Sequence, residues 1–148
     1  KASKIWVAPN LSQEILDKYK RSEEKEVSVY TIENYEHLKG DMLEIYYALK
    51  KRVLNIDASV KEEYKKLYIA FKSNTNFVDI VPQKARLRLS LNIEFNQIDD
   101  PLGLCLDVTD KGRWGNGDIE VGISKMSELD NVMDLIQQAF DIQMEEAN

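Results

Sequence analysis

Lys84, Arg86 and Arg88 recur at every second position in the middle of the chain. On an extended strand that spacing sends all three side chains to one face. Guanidinium forks beside aromatic platforms suit phosphates, bases or carboxylates. Tyr68 and Lys72 join this group if the preceding strand pairs with the same polarity. Further on, Gly112-Arg113-Trp114-Gly115-Asn116-Gly117 forms a glycine-rich loop that permits close backbone approach, with Trp114 as a stacking lid. The candidate ligand-binding or nucleic-acid-binding residues are therefore Tyr68, Lys72, Lys84, Arg86, Arg88, Arg113, Trp114 and Asn116. The bland alternative is a solvated sheet face whose arginines pair with Glu94, Glu120 or a helix carboxylate, and a Trp114 tucked over the core edge. The loop is not a P-loop, because Gly-Lys-Ser/Thr is missing. Nor is it a dinucleotide fingerprint, because it leads into a strand.

Other chemistry is weaker. Asp118 and Glu120 lie two apart and, with Asp107 or Asp79, can gather a magnesium ion. The usual restriction-nuclease sheet carries an acid followed two places later by Lys. Here Glu94 is followed by Asn96 and Glu120 by Gly122, so a metal-dependent hydrolase ranks as a second alternative. His37 is the single histidine and cannot build a His-metal site. Cys105 has no adjacent base to activate it and reads as a structural thiol. The Tyr46-Tyr47 pair and Met126, Met133 and Met144 fit core packing better than a cofactor box. No catalytic residue, no metal ligand set and no cofactor is expected.

Composition agrees with a globular domain: 148 residues, 43% hydrophobic and 31% charged. No apolar run approaches a membrane span, so no membrane partner is expected. A lone cysteine fits a reducing compartment, and a cytoplasmic location is the expectation. The net charge of −6 is uneven: residues 1–75 hold 14 Lys and Arg against 12 Asp and Glu, whereas residues 76–148 hold 6 against 14. Phosphate neutralisation drives nucleic-acid affinity, so any such contact needs a local basic patch.

The elements that must position these residues follow from periodicity. Residues 1–34 read as a leading segment or linker: Ile5-Trp6-Val7-Ala8, then a short helix from Leu11 to Tyr19, then a charge run. The chain begins at Lys1 rather than Met, and a piece of a longer protein is expected. Residues 35–148 read as a single domain. A helix over 41–56 starts with an Asp41/Glu44 capping box and carries Met42, Ile45, Tyr46, Leu49, Val53 and Ile56 on one stripe. A short helix is expected from Val60 to Lys66. From Leu67 the period changes to two. Strands are predicted at 67–72, at 77–81 and, most clearly, where Leu87, Leu89, Leu91, Ile93 and Phe95 alternate with polar residues. Leu104, Leu106 and Val108 make a short extended piece, and 118–123 the last strand. A helix over 127–144 opens on a Ser127/Asp130 box and buries Leu129, Val132, Met133, Ile136, Ala139 and Phe140. Short links imply antiparallel neighbours. The fold class is α+β: an antiparallel sheet of about four to five strands against two helices.

Two stretches carry a resemblance: residues 66–84, beginning Lys66-Leu67-Tyr68-Ile69-Ala70-Phe71-Lys72, and Gly112 to Asp118 with the Leu129–Phe140 helix. Together they resemble an uncharacterised prokaryotic domain family over roughly residues 35–145. That family is found at the C-terminus of proteins labelled "predicted transport protein" and behind nuclease-like domains, including ParB-like domains of modification-dependent restriction systems. The resemblance implies a modular domain whose partner is a fused or associated enzyme. It supplies no catalytic residues. The expected function is a non-catalytic recognition module for a ligand, nucleic acid or protein. A protein-protein interaction or dimerisation domain, a homo-oligomer, is the alternative.

Overall fold

The computed structural model describes residues 30–109 and 117–147, and Ile32–Asn148 forms one compact unit. Expectations for Ile5-Trp6-Val7, for the Leu11–Tyr19 helix and for Arg113, Trp114 and Asn116 fall outside the described residues. The elements run α1 (Gly40–Leu54), β1 (Lys61–Tyr64), β2 (Ile69–Lys72), β3 (Asn76–Pro82), β4 (Leu87–Leu91), β5 (Leu106–Asp107), β6 (Ile119–Ile123) and α2 (Leu129–Ala147). All strand pairs are antiparallel, in the order β1-β2-β3-β4-β6-β5. The fold is α+β, with six strands rather than four or five.

The register sorts side chains into two faces. Tyr64, Ile69, Ile80, Leu89 and Val121 form one cross-strand row, and Glu62, Phe71, Val78, Leu91 and Ile119 the next. Both rows point at the helices, where Met42, Ile45, Tyr46, Leu49 and Val53 of α1 and all six expected stripe residues of α2 are buried. β3 carries one extra residue opposite β2, since Phe71 pairs with Val78 and Lys72 with Asn76. This bulge lets Phe77 join Val78 on the core side. Phe77 meets the Phe140 ring of α2 edge-on at 5.3 Å.

Three local expectations are corrected. Residues 61–64 are a strand, not a helix. The Tyr46 hydroxyl donates to Glu62, and Lys50 approaches the same carboxylate at 3.0 Å. Glu62 therefore points inward on an edge strand, and that charge conceals the alternation. The β1–β2 turn closes through Lys65 N–H to the Tyr68 carbonyl at 2.9 Å, and the Tyr35 hydroxyl donates to the carbonyls of Lys65 and Tyr68. Leu67 thus sits exposed at a turn. Second, β4 ends at Leu91, and Phe95 lies exposed in a 3-10 turn (Phe95–Gln97). Third, the capping boxes differ. α1 starts at Gly40 with φ +57° and no side-chain cap, leaving Asp41 in the first turn, where its charge suits the helix dipole. Ahead of α2, Glu128 accepts from the backbone N–H groups of Ser124 at 2.7 Å and Lys125 at 2.9 Å.

Gly117 has φ +104°, and a Cβ there would lie 2.0 Å from the Leu91 carbonyl oxygen. Gly103 has φ +65° with nothing within 4 Å of an added Cβ. Gly117→Ala is expected to destabilise by roughly 3 kcal/mol or more and Gly103→Ala by only about 1 kcal/mol in urea titrations. Equal losses would contradict this packing.

Burial and then the Glu62 hydrogen bond push the Tyr46 phenol far above its ordinary 10.0, and Tyr64 shifts the same way for the same reasons. Folding therefore favours the protonated phenols. Their contribution is fully present below pH 10 and is lost as pH climbs above it. Melting temperature should fall steeply from roughly pH 10 upward, and Tyr46→Phe, at a cost of about 1–2 kcal/mol near neutrality, should flatten that fall.

Candidate functional site

The sheet face turned away from the helices carries the polar side chains. Glu63, Ala70, Asp79, Ser90, Glu120 and Leu106 form one cross-strand row. Val81, Arg88 and Gly122 form the neighbouring one. Arg86 lies just before β4. An added Cβ on Gly122 would come within 3.1 Å of its Cδ and 3.0 Å of Nη1, so the bare glycine seats the guanidinium. Nε donates to Gln83 Oε1 at 2.9 Å, and Nη2 reaches Glu120 Oε2 at 3.1 Å. Gln83 N–H donates to the Arg86 carbonyl at 2.9 Å and closes the β3–β4 turn.

This turn separates the three basic residues. Arg88 is in β4 and half-buried, whereas Lys84 stands exposed at the turn and is not part of a strand. Lys72 ion-pairs diagonally across β1–β2 with Glu63 at 3.0 Å. Burial comes first, then the charges of Asp79 and Glu63, in raising the Tyr68 phenol above its usual value. Tyr68 therefore presents a neutral O–H beside two carboxylates. The face is a mixed lattice of arginine, lysine and acid rather than a uniform basic patch. Glu63 and Ser90 belong to it although neither was marked in sequence. Ser90 was visible as a polar position of β4, but Glu63 was hidden in the misread segment.

Asp79 is 1% exposed on this face and accepts from Asn76 Nδ2 at 3.2 Å. It stands two strands from Glu120, with Ser90 between, roughly 10 Å at ordinary strand spacing. Asp107 pairs with Ile119 and so points to the other face from Glu120. Its Oδ1 accepts from Thr109 N–H at 3.0 Å and from the Thr109 hydroxyl. The magnesium constellation of Asp118, Glu120 and Asp107 is therefore not assembled. Among the described residues, no three of His, Cys, Asp and Glu form a metal-sized group. His37 is half-buried ahead of α1.

Residues 33–143 match the family described as "Domain of unknown function (DUF5655)". The chain belongs to that family. An uncharacterized protein of Haemophilus influenzae is 38% identical to the DUF5655 chain over 116 residues. The alignment takes in 78% of this chain and 38% of that relative, so the chain spans well under half of the relative's length. The family is thus an uncharacterised prokaryotic one. No solved structure matches the chain. Among the described residues, no helix is long and apolar enough to cross a membrane.

Cys105 is half-buried against the core. Burial first, then the charge of Asp100 and a hydrogen bond to it, push its thiol up to about 12. Near pH 8 iodoacetamide should alkylate it more than roughly 100-fold slower than a free cysteine, and Asp100→Asn should accelerate the reaction. Alkylation at the rate of free cysteine would exclude this environment.

Proposed function

We propose that the domain is a non-catalytic recognition module serving a fused or associated nuclease-like enzyme, with the Arg-bearing margin of the sheet face opposite the helices as its binding surface. The observation that carries this reading is the seating of Arg86 on Gly122, next to Arg88, on the sheet face opposite the helices, at the margin of a centre where Ala70, Asp79 and Ser90 are buried. A guanidinium held by Gln83 and Glu120 is ordered in advance, so less freedom is lost when it meets a phosphate or a base edge. Tyr68 and Lys72 border the face, and Lys84 stands at its turn. Arg113, Trp114 and Asn116 remain candidates from the sequence alone. A relative much longer than the matched region supports a modular role. The resemblance noted in the sequence supplies the nuclease-like context, and the lone cysteine favours a cytoplasmic setting.

Binding of labelled DNA and RNA to the 148-residue chain, followed by fluorescence anisotropy, tests the nucleic-acid form of this reading. Affinity should fall steeply between roughly 50 and 200 mM salt, and Arg86→Ala with Arg88→Ala should lower it at least about tenfold. Unchanged affinity in the double variant, or no binding by the parent chain, removes nucleic acid as the ligand of this face.

A further inference from the structure

The opposite end of the charge range lies beside α2. Leu129–Ala147 carries Asp130, Asp134, Asp141, Glu145 and Glu146 and no Lys or Arg. Between this helix and the 99–104 loop runs an open groove of about 400 Å³. Asp99, Asp100 and Asp134 supply its charge and Leu102 and Leu104 its apolar surface, and no basic residue lines it. Leu102 is 61% exposed and Leu104 41%.

The loop that displays these leucines is tightly held. Gln138 clamps Asp99 in both directions, accepting from its N–H at 2.7 Å and donating to its carbonyl at 2.8 Å. Asp100 Oδ1 accepts from Leu104 N–H at 3.0 Å, and Oδ2 from Cys105 N–H at 2.8 Å. Gly103, with φ +65°, turns the chain and donates to the Asp100 carbonyl at 3.1 Å. Slight burial works against ionisation of Asp100, but these amides hold its carboxyl below the usual range. A leucine pair fixed in water beside Asp99 and Asp134, with the nearby Arg52 paired to Asp130, suits a partner that brings apolar anchors and positive charge together.

We infer that the groove between the 99–104 loop and α2 docks a Lys/Arg-rich protein segment carrying apolar anchor residues. Leu102 and Leu104 receive the anchors, and Asp99 and Asp134 face the basic side chains. This surface is separate from the polar sheet face and does not depend on the function assigned to that face. Its carboxylates repel nucleic acid.

The probe is a synthetic amphipathic peptide of leucines and lysines, with a control in which glutamate replaces each lysine. Added to the ¹⁵N-labelled 148-residue chain, the lysine peptide should shift amide resonances of residues 99–104 and 131–138. Leu102→Ser with Leu104→Ser, and separately Asp99→Asn with Asp134→Asn, should each weaken binding by about tenfold, with unchanged circular dichroism as the folding control. Both pairs are solvent-facing, so neither should unfold the chain. Shifts confined to another surface, equal binding of the glutamate peptide, or full affinity in both variants would overturn the inference. So would a dimer in sedimentation that Leu102→Ser/Leu104→Ser dissociates, because a second copy would then own the groove.

Discussion

Strand β4 is hydrogen-bonded on both sides, to β3 and to β6, and its Leu87, Leu89 and Leu91 are fully buried. Because strand side chains alternate strictly, holding those leucines against the helices forces Arg88 and Ser90 to the other face. A slip of one residue would bury the arginine and expose three leucines. At about 2 kcal/mol for each buried leucine, that register is strongly enforced. The neighbouring positions inherit it: Asp79 and Glu120 lie opposite Ser90, and Gly122 opposite Arg88. The composition of the polar face is thus a by-product of core packing on the opposite side.

That inheritance explains why the polar face is mixed in sign. Arg86 reaches Glu120, and Lys72 reaches Glu63, at 3.1 and 3.0 Å. Half-exposed pairs of this kind contribute little stability, on the order of 0–1 kcal/mol, but they restrict where the cationic groups point. Gly122 matters in the same way, because a Cβ there would crowd the Arg86 side chain and make it give by a few tenths of an ångström.

Amphipathic periodicity made the two helices legible, and all six residues of the α2 stripe are buried as the spacing implies. Strict alternation did the same for β4 and β6. The misread 61–64 segment has a tertiary cause: partners on α1 satisfy a carboxylate that local pattern alone would leave in solvent. Glu62 looks like a first-turn helix acid until Tyr46 and Lys50 close over it. Phe77 breaks the alternation of β3 because a bulge is invisible without the partner strand. Of the candidate site, the pairing of Arg86 with Glu120 was legible as an option. The separation of Lys84 from Arg88 was not, since it depends on the Gln83–Arg86 turn. Asp107 was one option for a third magnesium carboxylate beside Asp118 and Glu120, and only the register sends it to the other face from Glu120.

The two outer strands of the sheet are finished differently. β5 is two residues long, and β1 is a four-residue strand carrying Lys61, Glu62 and Glu63. Another chain's strand arriving at either margin would meet too few backbone groups at one and a row of charges at the other. The sheet therefore does not readily extend from molecule to molecule. A domain closed off in this manner can be carried within many different polypeptides without inviting β-polymerisation, whatever is joined to it.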